Sequence, residues 1–258
     1  MKGTYKNVFK CNPVFRSMAK VLLDKSGKKF LVRETGKDLH TQFGFFPKKD
    51  LKKKNGKVKT NMGNEFSIFD AAFIDLYRKI KRDAQIIPLK DIGFIIAETG
   101  IGSKSKVVDA GAGSGALACF LANFVKEVTT YEIREDFIEI VRANIVSLKL
   151  KNIKIKNKDI YDGIDEKNAD LVVLDLPEPW KAIESAEKAL KPGGFLVSYS
   201  PTIPQVIDFV DAIKKNDNFA FLKACELTER EWDVEGRKVR PRSQAIGHSG
   251  FLSFARRL

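Results

Sequence analysis

Cysteine is scarce in this chain: three in 258 residues, Cys11, Cys119 and Cys225, with no CxxC pair. A disulfide framework needs an even set and a structural zinc site needs close ligand spacing, so neither is expected, and no metal site is read. The thiols read as buried or idle in a reducing compartment, which points to the cytoplasm. No apolar run approaches the length that crosses a bilayer, so no membrane partner is expected. Residues 1–20 carry basic side chains without a continuous apolar segment, so no secretory signal is expected. Acidic residues are rare at the start: residues 1–60 hold 17 Lys and Arg against 4 Asp and Glu, whereas residues 61–258 hold 29 of each. The whole net charge of +13 therefore sits in the first quarter. A single lysine run reads as a solvated surface, but so one-sided a segment on a neutral remainder points to a polyanion. An anionic membrane fits less well, because no amphipathic helix is there to insert.

Residues 17–33 read as two apolar strands around a Lys25-Ser26-Gly27-Lys28 turn, a hairpin signal. Strand-like pieces follow at 44–46 and 58–69, with a basic loop expected at 48–59. Residues 1–69 thus read as a small basic β domain. In 70–105, a helical connector, Ala71, Phe73, Ile74, Tyr77 and Ile80 recur at helical spacing, with Asp70 as the expected cap. A second helix ends near Gly100. From Lys106 strands are expected at 106–109, 127–131, 153–156, 170–175 and 194–200. Helices are expected at 115–125, 135–148, 180–190 and 204–215. Two closing strands, 219–228 and 250–256, flank an arginine-rich stretch. Such alternation argues for an α/β domain over 106–258, with a mostly parallel sheet.

The strand ending Val107-Val108-Asp109 runs into Ala110-Gly111-Ala112-Gly113-Ser114-Gly115. A glycine-rich strand-to-helix turn lets backbone approach a cofactor. The spacing is GxGxG rather than the dinucleotide GxGxxG. Glu132 closes the next strand, where a carboxylate can accept from both ribose hydroxyls, and Asp159 follows the third, placed to accept from an exocyclic amine. Each acid alone is an ordinary end-of-strand residue; in this order they fit an adenosine-bearing ligand without a pyrophosphate. Lys191-Pro192-Gly193-Gly194 is a turn. The ordered set, over about residues 86–200, resembles the class I S-adenosylmethionine methyltransferases, which implies a Rossmann-like, mostly parallel seven-stranded sheet with the small N-terminal β domain beside it.

Another apolar run ends Asp175-Leu176-Pro177-Glu178-Pro179-Trp180. The prolines stiffen a turn at the sheet edge. Either the turn presents Trp180 beside a transferred methyl group, or Trp180 packs in the core. This segment resembles the tRNA (adenine-N1) methyltransferases of archaea and bacteria. The likeness extends to His40-Thr41, Gly44, Pro47, Gly63-x-Glu65-Phe66, Ala84-Gln85-Ile86-Ile87, Lys90-Asp91, Arg230-x-Trp232, Arg240-Pro241 and Gly247-His248-Ser249-Gly250-Phe251-Leu252. It implies that Asp109, Gly111, Ala112, Gly113, Ser114, Gly115, Glu132, Asp159 and Asp175 surround S-adenosylmethionine, with Gln85 close to it, and that Asp175 handles the target base. It further implies methylation of N1 at adenosine 58 of the tRNA T-loop, sometimes also 57, by a homotetramer whose N-terminal domain helps hold tRNA. Two departures stand out. Ile87-Pro88-Leu89-Lys90-Asp91 replaces Ile-Tyr-Pro-Lys-Asp, removing an aromatic, and Ser249 replaces threonine.

The chemistry fits these residue types. Neutral adenine N1 already carries a lone pair, so positioning and electrostatics outweigh base catalysis. A carboxylate accepting from N6 favours the cation that forms, which is the role read for Asp175. The base must be exposed and sandwiched, with Trp180 or a nearby Phe or Tyr as the stacking partner. Lys52, Lys53 and Lys54, within the Lys48–Lys59 region, are expected to hold phosphates. His248 reads as a general base or a structural hydrogen bond, and Arg240 and Arg242 as RNA contacts or partners of acids. Two other functions stay open: a methyltransferase for a protein isoaspartate or small-molecule acceptor, and a non-catalytic tRNA-binding subunit.

Overall fold

In the computed structural model, residues 19–244 and 246–258 are described; Cys11 and the first two residues of the hairpin reading lie outside them. The described residues form two compact units, one up to residue 79 and one from residue 80 on, and the 70–105 stretch divides between them.

In the first unit, Lys20–Leu23 and Lys29–Val32 form the expected hairpin. The Asp24 carboxylate organises its turn, accepting from the Ser26 and Lys28 amides, each at 2.8 Å. A four-stranded antiparallel sheet results, in the order Lys29–Val32, Lys20–Leu23, Glu65–Asp70, Gly56–Lys59. Leu39–Thr41 and Gly44–Phe46 pair separately. Leu22, Phe46, Leu51, Phe66 and Ile68 fill the core. The basic loop expected at 48–59 is instead a helical turn, Lys48–Leu51, followed by the strand Gly56–Lys59. Leu51 and Val58 are the reason, two apolar anchors that draw this lysine-rich stretch onto the core. Asp70 is not a helix cap. It ends a strand and pairs with Lys20 at 2.5 Å, while the short helix Phe73–Tyr77 begins after Ala72, whose amide donates to Asp75 at 2.9 Å.

In the second unit seven strands form one sheet: β1 (Lys106–Ala110), β2 (Glu127–Glu132), β3 (Ile153–Asn157), β4 (Ala169–Leu174), β5 (Leu190–Ser200), β6 (Phe219–Glu226) and β7 (Phe251–Arg257). Their order is β6-β7-β5-β4-β1-β2-β3, and β7 alone runs antiparallel, inserted between β5 and β6. The sheet is covered on both faces. Along β4, Leu171 and Val173 pack with Ile92, Ile95, Leu117 and Leu121, whereas Val172 and Leu174 pack with Ile183, Ala186, Phe209 and Ile213. Such two-sided burial is why the strand reads as a continuous apolar run. The Lys191–Gly194 turn sits inside β5, looping out between the Ala169–Leu190 and Leu171–Phe195 pairings. The helix Leu89–Thr99 ends on left-handed Gly100, as expected. The arginine-rich stretch holds an unforeseen hairpin, Trp232–Glu235 against Lys238–Pro241.

Candidate active site

Strands β1, β2 and β4 end side by side, and the residues after them meet at the carboxyl edge where an open α/β sheet binds ligands. There a cavity of about 340 Å³ opens between Gln85, Gly111, Gly113, Glu132, Asp159 and Asp175, with Tyr131, Ile133, Tyr161, Leu176 and Pro177 as apolar wall. A larger groove, about 670 Å³, lies in the first unit between 29–34 and 37–41 and includes His40. It lacks this convergence of carboxylates on a glycine loop, which makes the smaller cavity the candidate site.

The three loop glycines do different work. Gly111 has φ +92°, and a Cβ there would overlap the Asp175 carbonyl oxygen, so this glycine lets β1 and β4 end together. A Cβ on Gly115, at φ +71°, would press on Val141 of the helix Glu135–Leu148, so this glycine sets helix packing. Gly113, at φ +49°, meets only Ala84 at 3.7 Å and faces the cavity. Its amide donates to Glu132 Oε2 at 2.9 Å, while Ile133 and Arg134 amides donate to Oε1 at 2.9 and 3.1 Å. Three amides thus fix this carboxylate. A carboxylate has about four acceptor positions, which leaves roughly one for a ligand hydroxyl rather than the two expected.

Asp159 accepts from the Tyr161 amide at 2.9 Å, capping the turn Ile160–Asp162 while remaining in the cavity wall. Asp109, Ala112 and Ser114 are buried behind the wall. Asp109 Oδ2 accepts from Thr130 at 2.8 Å and Oδ1 has no partner. Burial pushes its carboxyl up to about 7, Thr130 opposing this and the charges of Asp175 and Glu132 adding to it. Ser114 Oγ accepts from the amides of Asp83 and Ala84 at 3.1 and 3.4 Å, tying the segment that carries Gln85 to the loop.

Asp175 donates its amide to Ala110 O at 2.9 Å, which registers the DLPEPW turn on β1. Its side chain is half-buried in the cavity, and desolvation pushes the carboxyl up to about 7. The turn is braced twice: Gln205 donates to Pro177 O at 2.9 Å, and the Glu178 amide donates to Tyr161 Oη at 3.3 Å. Trp180 lies in the turn Pro179–Ala182, partly buried and packed against the core. Tyr161 lines the cavity two residues after Asp159 and was not singled out from the sequence; Tyr131 lines it as well, but its side chain is buried, the hydroxyl donating to Glu166 at 2.5 Å. Tyr199, on β5, is buried with its hydroxyl beside Ser249 and Asp91, and desolvation pushes its pKa up to about 12.

His248 is engaged on both ring nitrogens, Nδ1 with Glu226 Oε1 at 2.6 Å and Nε2 with Pro201 O at 2.8 Å. Glu226 and then the Pro201 carbonyl raise its pKa, as two acceptors favour the imidazolium. Both ring nitrogens are thus occupied within the fold. Arg240 is exposed opposite Asp233 in the hairpin, and Arg242 pairs with Asp233 and Glu231. Lys52, Lys53 and Lys54 are exposed in the first unit, Lys53 paired with Asp50 at 2.7 Å.

Comparison with known proteins decides the lineage. Residues 78–239 match the family described as tRNA methyltransferase complex GCD14 subunit. The chain belongs to this family. A Methanocaldococcus jannaschii relative, tRNA (adenine(57)-N(1)/adenine(58)-N(1))-methyltransferase TrmI, is 34% identical over 92% of this chain and 94% of its own. Among solved structures, an S-adenosylmethionine-dependent O-methyltransferase from Thermotoga maritima superposes with TM-score 0.84 at 29% identity, over 94% of each chain. The tRNA (m1A58) methyltransferase TrmI of Aquifex aeolicus superposes with TM-score 0.79 at 26% identity, over 96% of this chain and 99% of its own. The seven-stranded, mostly parallel sheet of this tRNA methyltransferase family member is the class I methyltransferase fold.

Proposed function

We propose that the protein methylates N1 of adenosine in the T-loop of tRNA, at position 58 and, as in the name of the M. jannaschii relative, also 57. The observation that carries this is the single cavity in which a fixed ribose acceptor, Glu132, and a half-buried carboxylate, Asp175, face each other across the glycine loop. The donor set fits S-adenosylmethionine: Gly113 would give open backbone, Glu132 would hold a ribose hydroxyl, Asp159 would accept from the adenine amine, and Ile133 and Tyr161 would offer apolar cover. When bound, that cofactor supplies an electrophilic methyl on a sulfonium.

The protein's own part is placement and charge. Asp175 accepts a hydrogen bond from N6 of the target base, and this bond strengthens as N1 becomes cationic. Ionised, it also complements the sulfonium. N1 needs no base to expose its lone pair, and the N6 proton leaves afterwards to Asp175 or water. The base is extruded from the T-loop to reach the cavity. The lysine-rich first unit, through Lys52, Lys53 and Lys54, holds tRNA phosphates, and the chain works as a homotetramer in the cytoplasm, where Cys119 and Cys225 stay reduced. No helix of the described residues is long and apolar enough to cross a membrane.

The test combines protein, S-adenosylmethionine and an unmodified tRNA transcript, read by nucleoside mass spectrometry and primer extension. A 1-methyladenosine signal with a stop at 58, lost in Asp175→Ala, is the expected result. Cofactor binding without methyladenosine would instead favour another acceptor, as the O-methyltransferase neighbour presents. No cofactor binding would mark a non-catalytic subunit.

A further inference from the structure

Glu226, ending β6, pairs directly with Phe251, beginning β7. Antiparallel neighbours are normally joined by a turn of about two to five residues. Here the chain instead makes an excursion, 227–250, that carries the hairpin Trp232–Glu235 and Lys238–Pro241. In that hairpin Trp232 faces Pro241 and Val234 faces Val239, while Asp233 faces Arg240 and Glu235 faces Lys238. An isolated two-stranded ribbon is marginal in water, so its orientation is set at its base.

The base is built around Lys90. Its ammonium reaches Asp91 Oδ1 at 2.8 Å and Oδ2 at 3.0 Å, Leu227 O at 2.8 Å and Ser249 Oγ at 2.7 Å. Ser249 Oγ in turn donates to Asp91 Oδ2 at 3.0 Å. Leu227 and Ser249 are the two ends of the excursion, so one cation holds both. The Lys90 side chain is 14% exposed and that of Asp91 0%. Replacing a buried ion pair by apolar side chains is often neutral for stability, so stability alone does not explain its presence here. What the pair supplies is direction: ammonium and carboxylate accept only one arrangement of the three segments. Lys90 also opens the helix Leu89–Thr99, and the segment just before it carries Ala84 and Gln85 in the cavity wall, Ala84 being tied to Ser114 of the glycine loop.

We propose that Lys90 is a positioning residue for the RNA acceptor: by clamping Leu227 and Ser249 it sets the hairpin, with Arg230, Arg237, Arg240 and Arg242, at a fixed angle to the cavity so that the target RNA seats against it. This rests on the acceptor being tRNA, as proposed above.

The experiment measures steady-state methylation of a tRNA transcript, S-adenosylmethionine affinity and amide hydrogen exchange for Lys90→Met, Ser249→Ala, Ser249→Thr and the charge-neutral double variant Lys90→Met/Asp91→Asn. For the double variant and Ser249→Ala, KM for tRNA is expected to rise about tenfold and about threefold, with cofactor affinity unchanged. Amides of 228–244 should exchange faster while those of β1 and β4 keep their protection. Ser249→Thr, which retains the hydroxyl, should restore the wild-type KM. If tRNA KM and exchange in 228–244 stay at wild-type values, or if cofactor affinity and sheet protection fall in parallel with them, Lys90 serves the fold alone and the proposal is overturned. Should the wild-type protein leave tRNA unmethylated, the acceptor reading fails first, and the exchange data still decide whether Lys90 clamps the excursion.

Discussion

Asp175 and Asp109 occupy neighbouring strand ends, one in the cavity and one behind it, and burial lifts both carboxyls from 3.8 to about 7. The folded state therefore binds their protons more tightly than the unfolded chain. Their contribution to stability is fullest below about pH 4 and declines as pH rises through about 7. Activity runs the other way, because N6 needs an ionised acceptor. For the free enzyme kcat/KM is expected to climb towards a plateau above about pH 7, and a nearby sulfonium should move the kcat midpoint lower. A profile flat from about pH 5 to about 9 would contradict the role given to Asp175. Asp175→Ala should lower kcat at least about a hundredfold, with a smaller loss of cofactor affinity from the missing charge beside the sulfonium, a split read by single-turnover kinetics and calorimetry. Gly111→Ala should cost about 1–3 kcal/mol in urea melts, because its positive φ and the Asp175 carbonyl both oppose a Cβ.

At the scale of elements, the glycine loop keeps its shape through Glu132, whose carboxylate collects the Gly113, Ile133 and Arg134 amides. Removing that acceptor frees three amides at once and also takes away the ribose partner. Hydrogen bonds to charged groups are worth about 1.5–3 kcal/mol, so Glu132→Ala should weaken cofactor binding by roughly tenfold to a hundredfold in calorimetry. An unchanged affinity would mean that the ribose contacts another residue. The neighbouring DLPEPW turn depends on remote elements instead: the Gln205 helix and the Tyr161 turn hold it from either side.

For the whole molecule, the charge excess lies in the first unit and the chemistry in the second, so substrate holding and catalysis should respond to different mutations. Neutralising Lys52, Lys53 and Lys54 should weaken tRNA binding and reduce the slope of log K against log salt by roughly 2, without changing kcat at saturating tRNA. Filter binding across a salt series reads this directly. The Lys53–Asp50 pair does not remove that lysine from consideration, since exposed ion pairs are worth only about 0–1 kcal/mol.

Much of this was legible in order and type. The strands after Lys106, the glycine turn, Glu132, Asp159 and Asp175 were read in sequence because local periodicity and end-of-strand polar residues are one-dimensional signals. The hairpin at 232–241 was passed over although its alternation of apolar and charged residues around Gly236 is itself a strand signal; its short, exposed strands and high charge made it read as a polar connector. Tertiary contacts alone decided that Trp180 packs against the core while Tyr161 lines the cavity, because turn direction sets which residues reach it. They also decided that three amides consume most of the Glu132 carboxylate, and that Lys90, far along the chain from Leu227 and Ser249, closes on both. The resemblance of its ordered motifs pointed to the family and its chemistry; which side chains meet depends on distances between segments that the linear order does not carry.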